Sequence, residues 1–353
     1  MNRIRVLIAD DSRFMCKALT QMLESVPEIE VVGVAGTGEQ AVRMVGELHP
    51  DVVTMDVLMP GMDGLAALRR IMEENPTPVL MLSSTTAEGT DAAIEALASG
   101  AVDFFTKPSG PVSLDIGRFR EQIISRVRLT ARAQVQKIIS SVVPQNRVAV
   151  PAVWEKGARR LVALAASTGG PQALQEILSR LPADLAAPIV IVQHIARGFI
   201  GPLAERLNAI CSLNVHPAQD GELLVPGQVL IAPNDRHLVV MQSGADRVVR
   251  LKSEPSQVLH RPSADELFFS IAQCCAAESC AVILTGMGDD GAHGLLSIRQ
   301  SGGLTLAQDQ ETAVIYGMPR RAVELKAVER SVPLGQIAQQ IIAATAEGRH
   351  SEG

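Results

Sequence analysis

The stretch Leu161-Val-Ala-Leu-Ala-Ala-Ser167-Thr168-Gly169-Gly170-Pro171 decides the fold. A short apolar run ends on two hydroxyl residues, then glycines and a proline, and Gln-Ala-Leu-Gln-Glu-Ile-Leu follows. The run reads as a buried strand. Proline fits the first turn of a helix, where its missing N–H had no partner to lose. A strand, a tight turn and a helix make one repeat of an α/β sheet. A serine at that turn sits near unpaired backbone N–H groups and the positive end of a helix dipole. Such a place can activate a nucleophile and hold the oxyanion it generates. The glycines, Gly169 among them, let a substrate come close to the backbone. By itself the stretch also fits a phosphate cradle or a plain capped turn.

Further apolar runs follow. Pro188-Ile-Val-Ile-Val-Gln193-His194 puts a histidine at a strand end. Val229-Leu-Ile-Ala-Pro233-Asn-Asp-Arg236-His237 runs into a polar loop, and Ala281-Val-Ile-Leu-Thr285-Gly-Met287-Gly-Asp289-Asp290-Gly291 brackets two acids with glycines. In a parallel sheet all strand carboxyl ends open on one edge, so Ser167, His194 and the Asp289/Asp290 pair are expected there together. A serine, a histidine and a carboxylate satisfy the logic of nucleophile, base and orienter. A strand-end histidine is also an ordinary hydrogen-bonded core residue, and Gly-Asp-Asp-Gly is also a turn or a cation site. The chain order Ser, His, Asp differs from the Ser, Asp, His order of α/β-hydrolases, and Ala165 stands where a nucleophile elbow has glycine. The histidines His194, His216, His237, His260 and His293 show no metal-binding pair on helical spacing.

The first third of the chain alternates strand and helix in the same way. Val6-Leu-Ile-Ala ends in Asp10-Asp11, Asp51-Val-Val-Thr-Met-Asp56 ends in an acid, Pro78-Val-Leu-Met-Leu-Ser83 in a hydroxyl, and Val102-Asp-Phe-Phe-Thr-Lys107 in a lysine. The same edge argument gathers Asp10, Asp11, Asp56, Ser83 and Lys107. Three carboxylates this close repel one another, and a hard divalent cation, Mg2+, is the simple remedy. A carboxylate beside it can attack a phosphoryl donor, with the hydroxyl and the ammonium binding the new phosphoryl oxygens.

At 353 residues the chain can form two domains with full cores, and its net charge of -6 argues against nucleic acid as a partner. No apolar run reaches the ~20 residues of a bilayer span, and Asp10 falls where a signal peptide would stay apolar, so a cytoplasmic, non-inserted protein is expected. Cys16, Cys211, Cys274, Cys275 and Cys280 lack metal-ligand spacing and read as reduced thiols. From Arg118 to Lys137 arginines alternate with Ile123, Ile124, Val127 and Leu129, giving a basic amphipathic helix. The turn-rich segment that follows, with Pro144, Pro151 and Gly157, reads as a linker that contains the sole tryptophan, Trp154.

These motifs carry two resemblances. Asp10-Asp11, Met-Asp56-Val-Leu-Met-Pro60-Gly-Met-Asp-Gly64, Ser83 and Lys107-Pro108 resemble the signature of a two-component receiver domain. The resemblance implies Asp56 as phosphoacceptor, Asp10, Asp11 and Asp56 on Mg2+, and Ser83 and Lys107 as the phosphoryl switch. Phe104 stands at the switch aromatic, where many receivers have tyrosine.

Ala-Ser167-Thr-Gly-Gly-Pro, Gln-His194, Ile-Ala-Pro-Asn-Asp-Arg236-His, His260-Arg-Pro-Ser-Ala-Asp265 and Leu-Thr-Gly-Met287-Gly-Asp-Asp290-Gly resemble the catalytic domain of chemotaxis protein-glutamate methylesterases. That resemblance implies Ser167 as nucleophile, His194 as base and Asp290 as orienter, with Thr168 and the Met287 N–H near the oxyanion and no cofactor for the esterase step. After His194 the family shows Met-Pro and Phe-Thr, where this chain has Ile195-Ala196 and Phe199-Ile200.

The expected architecture is therefore α/β, with two doubly wound parallel-sheet domains: a flavodoxin-like receiver over 1–120, a linker with the basic helix over 121–159, a Rossmann-like esterase domain over 160–346, and a disordered tail over 347–353. The implied activity is hydrolysis of glutamate γ-methyl esters on the cytoplasmic helical bundle of chemoreceptors, releasing methanol, together with deamidation of receptor glutamines. A chemotaxis histidine kinase is the implied phosphodonor, the unphosphorylated receiver the implied inhibitor, and a monomer the implied state. Two other classes stay open: a phosphorylation-gated binding module without activity, and a small-ester hydrolase. The intact Ser167, His194 and Asp290 weigh against the first. The aromatic content of 3% weighs against an aromatic-lined acyl pocket and so against the second.

Overall fold

A computed structural model describes residues 3–83, 87–107, 116–133, 161–254 and 260–346, without the side chains of 83, 87–91, 116–118 and 346. The Ser83 hydroxyl, Trp154, the proline-rich part of the expected linker and the expected tail lie outside the described residues. The chain divides into two compact units near residue 140. Among the described residues no helix is long and apolar enough to cross a membrane.

The first unit runs β1 (Ile4–Ala9), α1 (Arg13–Leu23), β2 (Ile29–Ala35), α2 (Gly38–Leu48), β3 (Val52–Asp56), α3 (Gly64–Glu74), β4 (Val79–Ser83), α4 (Ala87–Ala98), β5 (Asp103–Thr106) and α5 (Ile116–Thr130). Its sheet has the order β2-β1-β3-β4-β5, with every pairing parallel. Connections from β1 and β3 leave in opposite directions, so the crevice at their carboxyl ends is the natural ligand site of this topology. Side chains of Ser12, Thr37 and Asp63 accept backbone N–H groups and start α1, α2 and α3. On one face of the sheet Leu19 and Leu23 of α1 pack with Val6, Ile8, Leu80 and Leu82. Full burial of each such side chain stabilises by roughly 1.5–3 kcal/mol.

The basic helix departs from the expectation that the receiver ends at 120 and the helix leaves it as linker. Phe119, Ile123 and Val127 recur every four residues on α5, and all three are buried in that same core cluster. Two of its arginines are paired within the unit as well, Arg126 with Asp103 and Arg128 with Glu28. An apolar stripe this regular gains more from the sheet than from solvent, so the helix closes the first domain.

The second unit runs β6 (Leu161–Ala166), α6 (Gly170–Leu178), β7 (Ile189–Gln193), α7 (Ile200–Ile210), β8 (Asn214–Pro217), β9 (Gln228–Ile231), β10 (His237–Ser243), β11 (Asp246–Lys252), α8 (Ala264–Cys274), β12 (Ser279–Ile283), α9 (Ala292–Gln300), β13 (Leu304–Gln308), α10 (Met318–Glu324), β14 (Arg330–Val332) and α11 (Leu334–Ala346). The main sheet has the order β14-β13-β12-β6-β7-β9-β8 and is parallel throughout. From β6 the chain builds outward through β7, and later returns to build the other side from β12. The switch point therefore lies between β6 and β12.

Strands β10 and β11 form an antiparallel hairpin outside the main sheet. Leu238, Val240 and Val249 of the hairpin pack with Leu267, Phe268 and Ile271 of α8. His237, expected in a polar loop, is instead the fully buried first residue of β10.

Candidate active site and acidic cluster

Ser167 follows the last residue of β6 and is held from both neighbouring strands. Its backbone N–H donates to the Thr285 carbonyl at 3.0 Å, and its own carbonyl accepts the Gly170 N–H and the Gln193 Nε2, each at 2.8 Å. Gly169, at the N-terminal boundary of α6, adopts φ 78°, a left-handed conformation that glycine takes without strain. Gly286 packs against the serine so closely that a Cβ there would lie 2.8 Å from Ser167 Cβ. Met287, the next residue, has its side chain exposed. Thr285 braces this corner, its hydroxyl donating to the Thr168 carbonyl at 3.0 Å and accepting the Ile315 N–H at 2.9 Å.

His194 follows β7, the next strand over. Ala166 pairs with Gln193 in register, and the His194 N–H donates to the Ala166 carbonyl at 2.9 Å. The buried Gln193 amide group also donates to the His194 carbonyl at 3.0 Å, so one side chain ties the serine turn to the histidine turn. Gly170 is required there, since a Cβ would fall 2.0 Å from Gln193 Oε1.

Asp290 lies beyond β12, and its Oδ2 is 2.8 Å from His194 Nε2. The approach lies off the N–H direction, and neither ring nitrogen of His194 has a well-directed hydrogen bond among the described residues. The other contacts of Asp290 come from the start of α8. Ser263 Oγ donates to it at 2.8 Å, the Ala264 N–H at 2.8 Å and the Asp265 N–H at 3.0 Å. A carboxylate at a helix N-terminus satisfies orphan amides and meets the positive end of the dipole. Burial works against its charge, but the His194 contact and the α8 amides outweigh that and bring its pKa down to about 2. Asp290 is therefore an anion at neutral pH. Asp289 stays exposed on the same loop.

Three further residues complete the surroundings. The Ser263 N–H donates to His237 Nδ1 at 3.2 Å, which gives the buried His237 a role in holding the α8 cap. His260 stacks on His194, ring centroids 4.5 Å apart and planes 15° from parallel. Asp265 accepts the Gly294 N–H at 2.6 Å, and burial pushes its pKa up to about 6.

Gln193, Gly286, Ser263 and His260 all fall in stretches whose motifs stand out in the sequence, but their roles do not. A glutamine closing an otherwise apolar strand is the one local signal that could have singled out Gln193.

In the first unit, Asp10, Asp11 and Asp56 each offer a carboxylate oxygen within 4.8 Å of the others. Asp10 and Asp56 are buried and Asp11 is exposed. Lys107 Nζ sits 2.8 Å from Asp10 Oδ2 and 2.8 Å from Asp56 Oδ2. Burial raises the Asp56 carboxyl above the ordinary range, with the charge of Asp10 adding to that and Lys107 opposing it. Burial also works against the Lys107 ammonium, yet its two aspartate partners outweigh it and its pKa is raised. Hard anionic oxygens so grouped suit a small divalent cation. Phe104 is buried on β5.

Residues 162–341 match the family described as CheB methylesterase, and residues 6–115 match the response regulator receiver domain. A protein from Geobacillus kaustophilus described as protein-glutamate methylesterase/protein-glutamine glutaminase is 44% identical over 347 residues, covering 97% of this chain and 99% of that protein. A Pseudomonas aeruginosa protein with the same description, numbered 2, is 42% identical over 339 residues, covering 96% of each. The crystal structure of the Thermotoga maritima CheB methylesterase catalytic domain superposes with a TM-score of 0.51 at 37% identity, covering 52% of this chain and 97% of that one. With an esterase-type second unit behind a receiver-type first unit, and this identity over nearly its whole length, the chain belongs to the protein-glutamate methylesterase/protein-glutamine glutaminase family of response regulators.

Proposed function

We propose that the chain hydrolyses glutamate γ-methyl esters on the cytoplasmic helical bundle of chemoreceptors, releasing methanol, and deamidates receptor glutamines at the same site. The observation that carries this reading is Asp290, kept anionic by the start of α8 and 2.8 Å from His194 on the edge that also bears Ser167. With Nε2 facing Asp290, Nδ1 of His194 is the nitrogen left to take the Ser167 proton. Ser167 Oγ attacks the ester carbonyl, and the oxyanion forms beside the backbone at Thr168 and Met287. His194 then returns its proton to the departing methoxide oxygen, which leaves as methanol, or to the amide nitrogen of a glutamine substrate, which leaves as ammonia. Water activated by the same ring cleaves the acyl-enzyme. The Asp290 charge stabilises the imidazolium that each step requires.

The receiver cluster supports regulation by phosphorylation at Asp56, with a histidine kinase as donor. Asp10, Asp11 and Asp56 would hold Mg2+, which when bound offsets their mutual repulsion and the charge of the donor. Lys107, already between Asp10 and Asp56, pairs with the new phosphoryl oxygens. Phosphorylation raises the esterase activity.

Methanol release from methylated receptor membranes tests both parts. Wild type and Ser167→Ala are compared, each with and without a small acyl phosphate. The reading expects release that needs Ser167 and rises with the phosphodonor. No release from folded wild-type protein on its own organism's receptors would instead favour a binding module without activity.

A further inference from the structure

His194 must hold one ring plane while it carries a proton from Ser167 to the leaving group. Its hydrogen bonds do not supply that restraint: the Asp290 contact is off-line, and neither ring nitrogen has a well-directed partner among the described residues. The flat face of the ring is restrained, however, because His260 lies parallel to it at 4.5 Å and 15°. We propose that His260 is a positioning residue for His194, its stacked ring fixing the plane of the base and covering one face of the imidazolium that forms during acyl transfer. The inference rests on the esterase reading and adds a residue to it.

The chain around His260 supports the assignment. Residues 260–265 form one continuous segment. Its first residue stacks on the base, and Ser263, Ala264 and Asp265 donate to the carboxylate that faces the base. The plane of the imidazole and the anchor of its partner are thus set by the same short stretch, which a displacement of α8 would disturb together.

Stacking of this kind helps only if one ring is neutral, since an aromatic face attracts a cation and a second cation repels it. The groups facing His260 are His194 from the end of β7 and Asp289 and Asp290 from the loop after β12, with Arg261 adjacent in sequence. Burial, then the charge of protonated His194, depress the His260 pKa, and the two aspartates act in the opposite sense. Of the stacked pair, His260 is thus the ring disfavoured as a cation beside a protonated His194.

The test uses the full-length protein with acyl phosphate and methylated receptor membranes, and compares wild type, His260→Ala, His260→Phe and Ser167→Ala across pH. His260→Ala is expected to lower kcat by about 10-fold with KM little changed, the cost of losing a cation-stabilising face and a defined ring plane. His260→Phe keeps the face without a titrating nitrogen. It should recover most of kcat, and the acid limb of its kcat/KM should follow one proton where wild type falls more steeply. Wild-type kcat in His260→Ala would overturn the inference, as would a folded His260→Phe no better than His260→Ala. Should His260→Ala fail to fold, the profile of His260→Phe decides, and one superposable on wild type overturns the inference. Hydrolysis by wild type that survives Ser167→Ala would overturn the esterase reading and this inference with it. Ser167-dependent hydrolysis indifferent to His260 would overturn the inference alone.

Discussion

Asp290 Oδ2 lies 2.8 Å from His194 Nε2 and accepts the Ala264 N–H, also at 2.8 Å, so one carboxylate oxygen serves both the histidine and the first turn of α8. Function and stability are coupled at this atom. Asp290→Asn should lower kcat by about 10²–10⁴-fold, because the amide can neither fix the useful tautomer nor offset the imidazolium charge. Asp290→Ala should in addition lower stability by about 1–3 kcal/mol, since it leaves amides and a hydroxyl without their acceptor. Methanol release and urea titration read the two effects separately, and a fully active Asp290→Asn would exclude Asp290 from the mechanism.

The pH dependence of stability follows from the same residue. Its folded pKa of about 2 lies below the ordinary aspartate value of 3.8, so the ionised form is favoured by folding. That stability is fully present above pH ~4 and is lost as pH falls through the folded value. Acid unfolding of Asp290→Asn should lack this component. Superposable acid limbs for the two proteins would show that Asp290 is not held as described.

Asp265 should act in the opposite direction. Burial raises its pKa to about 6, above the ordinary 3.8, so its ionised form is disfavoured by folding. The penalty is absent below pH ~4, grows between the two values and is complete above pH ~6. An asparagine keeps an acceptor for the Gly294 N–H, which now donates at 2.6 Å. Asp265→Asn should therefore gain about 1–2 kcal/mol over wild type between pH 4 and pH 7.5, a figure reduced for the partial exposure of the carboxyl. Urea midpoints at the two pH values give the comparison, and a pH-independent difference would refute it.

Gly286 is the steric limit of the serine turn. A Cβ there would lie 2.3 Å from Met318 Sδ and 2.8 Å from Ser167 Cβ. The thioether can move aside, but Ser167 is pinned by the Thr285 carbonyl and by Gln193. Gly286→Ala should displace the serine by a fraction of an ångström and cost about 10²-fold in kcat in a protein that still folds. Normal turnover would mean that the turn is more compliant than its hydrogen bonds imply.

In the first unit, Asp56→Asn should abolish both phosphoryl incorporation from acyl phosphate and the accompanying rise in methanol release. Asp10→Asn with Asp11→Asn removes two of three hard anionic donors and should weaken Mg2+ binding at least ~10-fold by calorimetric titration. Unchanged Mg2+ affinity in the double variant would place the ion elsewhere.

Much of this was legible before the fold was known. Strand-end residues in a doubly wound protein must gather at one edge, so Asp10, Asp56 and Lys107 in one unit, and Ser167, His194 and the Asp289/Asp290 pair in the other, are expected together from apolar runs and chain order, while the choice of Asp290 over Asp289 came only with the family resemblance. The extent of the first domain was not legible, because a basic amphipathic helix reads the same whether its stripe covers its own sheet or leads into a linker. Only the burial of Phe119, Ile123 and Val127 distinguishes them. The hairpin β10–β11 was also hidden, and with it the buried place of His237.

The sequence by itself determined which residues stand at the ends of which strands, because alternation of apolar runs with helical periods is a local property. Tertiary structure alone decided what holds those residues. The α8 amides on Asp290, the Gln193 amide bridging Ser167 and His194, the His260 ring on His194 and the close approach of Gly286 to Ser167 all join segments far apart in the chain. Each depends on distances of a few tenths of an ångström and on hydrogen-bond direction, and those are set by how the elements pack rather than by any residue's immediate neighbours.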